Sequence, residues 1–220
     1  QPISMALDSR GRLWVAECYT YAEASVGYAM QLRDRVVIFE DVDGDGRFDK
    51  RTVFYEGLQR LTSVEIGFGG VWVTAPPNLL FIPDWDGDDR PDGEPEIRLN
   101  GFDFASARHT MVNGLRWGPD GWLYGRQGIL GTSQVGAPGT PAEERTSVNV
   151  GIWRYHPTRG SFEVVCEGTT NPWGLDWNEY GDAFFINTVI GHLWQAIPGA
   201  HFTRMFGDDR NPHVYQLIEQ

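Results

Sequence analysis

The chain has 220 residues, 41% hydrophobic and 22% charged, with 30 acidic residues against 18 basic ones and a net charge of −12. This is the composition of a folded globular protein with room for a sizeable core, and it argues against disorder. With no Lys/Arg cluster and no apolar run long enough to cross a bilayer as a helix, nucleic acid partners and a membrane span in this chain are set aside.

The first element is a turn followed by an aromatic-rich strand, "LDSRGRLWVAE" from Leu7. A long loop, residues 18–34, separates it from two further apolar runs, "RVVIFE" and "RTVFYEG". The pattern returns as "IGFGGVWVTAP" from Ile66, with "NLLFIP" and "PEIRLNG" behind it. A third copy, "WGPDGWLYGRQ" from Trp117, leads through the long loop 127–147 to "VGIWRYHP" and "FEVVCEG". A fourth, "WNEYGDAFFIN" from Trp177, is followed by "GHLWQAIP" and a weaker run. The anchors Trp14, Trp72, Trp122 and Phe184 are 58, 50 and 62 residues apart.

Four short strands joined by Gly/Asp/Pro turns, repeating at this interval, define an all-β fold: a β-propeller of four-stranded blades. A β-sandwich also has short strands but needs no internal repeat. Blades fall at about 1–60, 61–108, 109–169 and 170–220, which is 3.5–4 blades in one partial propeller domain. Because an open propeller would expose sheet edges, the chain is expected to be a fragment of a larger one. Alternation of strand direction puts the two long loops and the blade junctions on one face, and the hairpins between third and fourth strands on the other.

Two such hairpins are acidic. In "DVDGDGRFD", Asp41, Asp43, Asp45, the Arg47 carbonyl and Asp49 occupy alternate positions, with Gly46 where a calcium loop makes its sharp turn. "DWDGDDRPD" repeats the spacing with Asp84, Asp86, Asp88 and Asp92, but Asp89 replaces that glycine. Asp-Gly turns need one or two aspartates, and four uncompensated carboxylates would repel one another, so Ca2+ in a structural role is expected at both. The bidentate acid of an EF-hand is missing, since Thr52 stands there. Cys18 and Cys166 make no disulfide framework and are read as unpaired thiols. Arg126 and Arg116, near the long-loop face, suit an acidic ligand, although pairing with the many carboxylates is the plainer reading.

The stretches "DRVVIFEDVDGDGRFDKRTVF", "GFGGVWVTAPPNLLFIPDWDGDDRPDGEPEI", "WGPDGWLYGRQG", "GTPAEER", "GIWRYHPT" and "TTNPWGLDW" together resemble the propeller of the membrane-bound dehydrogenase family, also called PVC-type haem-binding CxxCH proteins. The resemblance covers essentially the whole chain. More distantly the blades resemble soluble sugar and sorbosone dehydrogenases that use pyrroloquinoline quinone (PQQ) on a six-bladed propeller. It implies a secreted or periplasmic protein that oxidises a small-molecule, carbohydrate or alcohol ligand. Electrons would go to a cytochrome c domain or protein, with haem c only on a segment absent from this chain.

The same resemblance implies that His109, in "RHTMVNGLRWGPDG", is the general base, and makes Asn171, His192 and Arg126 the cofactor-binding candidates. An imidazole at a blade junction suits proton abstraction near neutrality. Where the PQQ enzymes carry an Arg before "NP", this chain has Thr170, and "NTVIGHLW" replaces their Gly/Pro-containing calcium loop. The alternative is a non-catalytic, calcium-stabilised propeller that binds carbohydrate or protein through its long-loop face. His109 then bonds a neighbouring blade, and Asn171 serves an Asn-Pro turn.

Overall fold

Each repeat opens on a tight turn that only glycine makes without strain. Gly11, Gly69, Gly121 and Gly181 all have φ between 77° and 85°. In three of them the glycine N–H donates to the carbonyl three residues back, at Asp8, Gly118 and Asn178. These glycines are 58, 52 and 60 residues apart, and the residue three places beyond each is Trp14, Trp72, Tyr124 and Phe184. The third copy is thus in register at Tyr124, two residues beyond the anchor Trp122 expected from sequence.

The computed structural model describes residues 1–21, 27–191 and 193–215. The chain divides into two units, Gln1–Leu99 and Asn100–Gln220. In the first unit, β1 (Pro2–Leu7), β2 (Leu13–Glu17), β3 (Asp34–Glu40) and β4 (Lys50–Leu58) form one sheet in sequence order. A second sheet takes β5 (Ser63–Ile66), β6 (Gly70–Ala75), β7 (Asn78–Pro83) and β8 (Glu96–Asn100), also in order. Alternation places Trp14, Ala16, Val36, Ile38 and Phe54 of one sheet against Val64, Val71, Val73, Leu80 and Ile82 of the other. Burying these faces supplies the main stabilisation, at about 25 cal/mol per Å² of apolar surface.

The second unit departs from four strands per sheet. Its larger sheet is ordered β18-β14-β13-β10-β9, from β9 (Asn113–Trp117), β10 (Leu123–Gln127), β13 (Gly151–Tyr155), β14 (Phe162–Thr169) and β18 (His201–Arg204). The smaller has β15 (Pro172–Trp177), β16 (Ala183–Asn187) and β17 (Leu193–Gln195). The weak run expected to complete the last blade is β18. It pairs parallel to β14 through Glu167↔His201 and Thr169↔Arg204, leaving the last sheet with three strands. Phe202 of β18 still packs on Trp194 and Phe185 of the smaller sheet. The sheets are the blades of a β-propeller, each antiparallel in chain order apart from that added strand.

The long loop after β10 is a built structure. It carries the hairpin β11 (Ser133–Val135) with β12 (Thr146–Val148). The fully buried Gln127 donates to the carbonyls of Gly131, Val148 and Asn149 at 3.0, 3.1 and 2.8 Å, and accepts from Ser133 Oγ at 2.6 Å. Asn149 Nδ2 reaches the Ile129 and Gly131 carbonyls. Residues 22–26 of the first long loop lie outside the described residues. Both cysteines are free and buried, and burial pushes the Cys166 thiol up to about 12.

Candidate functional site

The second unit gathers polar residues where β10 ends and β15 begins. Arg126, the fourth residue of β10, pairs with Asn113 of β9. Beyond it, Gly128 N–H donates to the Thr110 carbonyl at 2.9 Å, and the Thr110 hydroxyl accepts from Leu130 N–H at 3.3 Å. Thr110 ends the 3-10 turn Arg108–Thr110, so His109 is carried by a turn stitched to the loop after β10. Gly128 has no room for a side chain: a Cβ there would meet Thr110 and the Asn171 Oδ1. That contact brings the start of β15 against the end of β10.

Arg126 is 7% exposed, yet among the described residues it makes no hydrogen bond and meets no carboxylate. Its guanidinium lies over the Trp173 ring, 5.6 Å from the centroid, and a Cβ on Gly114 would collide with it. Gly114 has φ +66°, so both space and backbone conformation reserve the position for glycine. Burial, and then the charge of Arg116, hold the Arg126 guanidinium down at about 10. Arg116 itself is exposed and reaches Asp176 at 3.2 Å, so the pairing read from sequence applies to Arg116 and leaves Arg126 uncompensated.

Unpartnered polar atoms lie on the elements that flank this cation: Asn113 faces Arg126 across the β9–β10 ladder, and residues 169–171 lead into β15, which carries Trp173. Asn113 Oδ1, Thr169 Oγ1, Thr170 Oγ1, Asn171 Oδ1 and Asn187 Nδ2 are all sealed from bulk water and lack a hydrogen bond. Native proteins leave few buried polar groups unsatisfied, so a concentration of them marks a place completed by water or a ligand. Asn187 Oδ1 accepts from the N–H groups of Thr170 and Asn171, at 3.4 and 3.2 Å, which fixes the start of β15. Thr169 of this group and Arg108 beside it hold φ of 72° and 50° without being glycine, a cost often found at functional sites.

Of the sequence candidates, Arg126 and Asn171 therefore belong to one cluster. His109 stands on its edge, exposed and without a hydrogen bond or ion pair among the described residues. His192 lies outside the described residues. Asn113, Trp173, Thr169 and Asn187 were not singled out from sequence. No local feature of the sequence marks them; the lone arginine in the otherwise uncharged run "LYGRQGIL" marks Arg126 alone. A cleft of about 20 Å³ between β14 and β18 is a weaker candidate, because Glu167 there already faces His201 at 3.2 Å and Arg210 at 3.6 Å.

In the first unit the acidic hairpins lie at one end of the strands and the loop of Thr20 and Asp34 at the other, since β3 runs from Asp34 to Glu40 before entering the first hairpin. Asp41, Asp43 and Asp49 bring carboxylate oxygens within 4.8 Å of one another, as do Asp84, Asp86 and Asp88. That span is about twice the Ca–O distance of 2.3–2.6 Å, so these residues fit a calcium ion. Asp45 and Asp92 are not in those triads: Asp45 Oδ1 accepts from Arg47 N–H at 2.8 Å, and Asp92 Oδ2 accepts from Trp85 N–H. Asp89 takes φ +69°, reproducing the turn of Gly46 at +85°, and its carboxylate pairs with Arg10 and Arg12. Asp84 Oδ1 is buried without a partner.

The fold is that of a β-propeller, with a group of unpartnered polar atoms where β10 ends and β15 begins. A family model described as a domain of unknown function (DUF7133) matches residues 1–216, and the chain belongs to that family. A comparison with curated proteins finds no match. Among solved structures the chain is similar to the PQQ-bound form of an aldose sugar dehydrogenase from Streptomyces coelicolor. The TM-score is 0.63 at 16% identity, covering 98% of this chain and 66% of that one. It is also similar to a Thermus thermophilus protein assigned as an oxidoreductase (glucose dehydrogenase). There the TM-score is 0.56 at 19% identity, over 98% and 68% of the two chains. The chain thus spans about two thirds of the length of either, and at these identities the likeness is one of fold.

Proposed function

We propose that the chain is the propeller of a secreted or periplasmic quinoprotein that oxidises a sugar or alcohol and passes the electrons to a cytochrome c domain or protein. The observation that carries this reading is the uncompensated Arg126 among unpartnered polar atoms, beside the His109 turn, on a fold that in a similar structure binds PQQ. Thr170, where the PQQ enzymes carry an arginine, supplies no cation, so Arg126 is the cation left at this junction. When bound, PQQ would supply an ortho-quinone able to take hydride from a carbinol carbon. In that reading His109 receives the hydroxyl proton, Asn171 and Arg126 orient the ligand, and the buried junction excludes water. Calcium is held by Asp41, Asp43 and Asp49 and by Asp84, Asp86 and Asp88, as a support for the hairpins.

The test is dye reduction by the complete protein, supplied with PQQ and calcium, over a panel of sugars and alcohols. Activity is expected, and His109→Ala should lower it by about 100-fold or more, the usual contribution of a general base. If no substrate reduces the dye, the chain is a non-catalytic propeller. Thr170, in the place of a cofactor arginine, is the observation that favours that second reading.

A further inference from the structure

The Arg126 cluster has a donor and acceptor pattern that describes its ligand more narrowly than an alcohol. We infer that the site takes a sugar acid, with Arg126 receiving its carboxylate. The inference rests on reading this cluster as the ligand site.

Three other arginines of the same unit have partners. Arg154 pairs with Glu163 at 2.7 Å and Asp120 at 3.2 Å, Arg116 with Asp176, and Arg145 donates to the carbonyls of Thr140, Asn100 and Gln134. In a chain with 30 carboxylates to 18 cations, a counter-ion for Arg126 would be easily supplied. It is withheld from the cation that burial makes costliest to leave alone.

The anion it awaits is singly charged and flat. The ring of Trp173 covers one face of the guanidinium, and Nε is shut in without a partner, so the terminal nitrogens are left to bond. That pair of N–H donors matches a carboxylate. Phosphate would need more positive charge, and among the described residues the second charge that reaches Arg126 is that of Arg116, already turned to Asp176. Acceptors stand on the strands that flank the cation, β9 and the start of β15. Asn113 donates through Nδ2 to the Met111 carbonyl at 2.8 Å, which leaves its buried Oδ1 unpartnered, and the buried Asn171 Oδ1 is unpartnered too, so a ligand entering beside Arg126 would have to supply their donors. Open acceptors repel further anionic oxygens and receive hydroxyl protons. Trp173, 37% exposed, offers apolar ring surface beside them. One carboxylate, several hydroxyls and an apolar ring face are together a uronic acid. PQQ shares the carboxylate but offers few donors to those oxygens.

Isothermal titration of the complete calcium-loaded protein with galacturonate, glucuronate, galactose, glucose and PQQ separates the sources. A uronate is expected to bind at least about 10-fold more tightly than its neutral sugar. Arg126→Gln should erase that preference, weakening the uronate by about 10- to 100-fold. Arg126→Lys, which keeps the charge without the fork, should fall between, and its thermal melt shows that the fold is retained. If Arg126→Gln weakens PQQ alone, the carboxylate belongs to the cofactor and the sugar-acid inference is overturned. It is also overturned if wild type binds no uronate, or if Arg126→Gln binds uronates as wild type does. No turnover is needed, so uronate binding without dye reduction would sink the proposed oxidation and leave this inference standing. Dye reduction on neutral sugars with uronates ignored would do the reverse.

Discussion

Asp34 in the first unit and Arg126 in the second are both buried charges next to the loop that follows a second strand, and their surroundings are opposite. Asp34 accepts from Tyr19 N–H, Thr20 N–H, Thr20 Oγ and Leu61 N–H, at 2.6, 2.8, 2.7 and 2.8 Å. A short stretch of chain closes around the carboxylate and every donor is used. Arg126 has an aromatic face, a second cation at a distance, and oxygens with nothing to accept. One charge organises the chain around itself; the other is kept in readiness at a cost to the fold. A buried ion stabilises only when its partners are in the same chain, so Asp34 is a structural part and Arg126 an expensive one.

The sharpest way to break the comparison is to remove each charge. Asp34→Ala strands three backbone N–H groups and a threonine hydroxyl in the interior, and should cost about 4 kcal/mol or more in urea unfolding. Arg126→Met goes the other way. It replaces an uncompensated cation with an apolar chain of similar length, and should raise ligand-free stability by about 1–3 kcal/mol. The pH dependence follows from the Arg126 value of about 10. That is below the ordinary guanidinium range, so the cost of folding around the charge is present at neutral pH and falls as pH rises through about 10. The advantage of Arg126→Met over wild type should therefore shrink in alkaline melts. A Met variant as unstable as Asp34→Ala would make Arg126 structural and end the contrast.

This contrast was only half legible in the sequence. The repeat, its glycine turns and the blade strands were plain, because a period-two apolar pattern and Asp/Asn-Gly punctuation are local properties. The departure of β18 was not, since its parallel pairing with β14 is a non-local choice of partner that no local pattern records. At the site, Arg126 and Asn171 stood out as polar residues in apolar or turn contexts. Whether an arginine has a counter-ion depends on which carboxylates fold near it. Arg116 and Arg126, ten residues apart, look alike in sequence and differ because only the first meets Asp176. Asn113 and Asn187 were invisible for the same reason: an unsatisfied amide is defined by what fails to surround it.

The two aspartate hairpins repeat the contrast on a smaller scale. In the first, both oxygens of Asp41 accept backbone N–H groups, from Gly44 at 2.7 Å and Gly46 at 2.8 Å, but no arginine pairs with the triad among the described residues. In the second, Arg12 is buried between Asp8 at 2.8 Å and Asp89 at 2.6 Å and lends positive charge, while Asp84 keeps a buried oxygen unpaired. Burial pushes the Asp84 carboxyl above its ordinary range, with the charges of Asp89 and Asp88 adding to the rise. A raised carboxyl penalises the folded state above its titration and ceases to do so as pH falls, so the calcium-free protein should gain stability on mild acidification. Calcium should remove that pH dependence and add about 1.4 kcal/mol per site at tenfold its dissociation constant. The first hairpin, with no arginine paired to its triad among the described residues, should give the larger share, so Asp43→Asn should lose more of the calcium-induced rise in melting temperature than Asp86→Asn. If calcium leaves the melting temperature unmoved in wild type, both hairpins are acidic turns, and the oxygen of Asp84 is held by water instead of a cation.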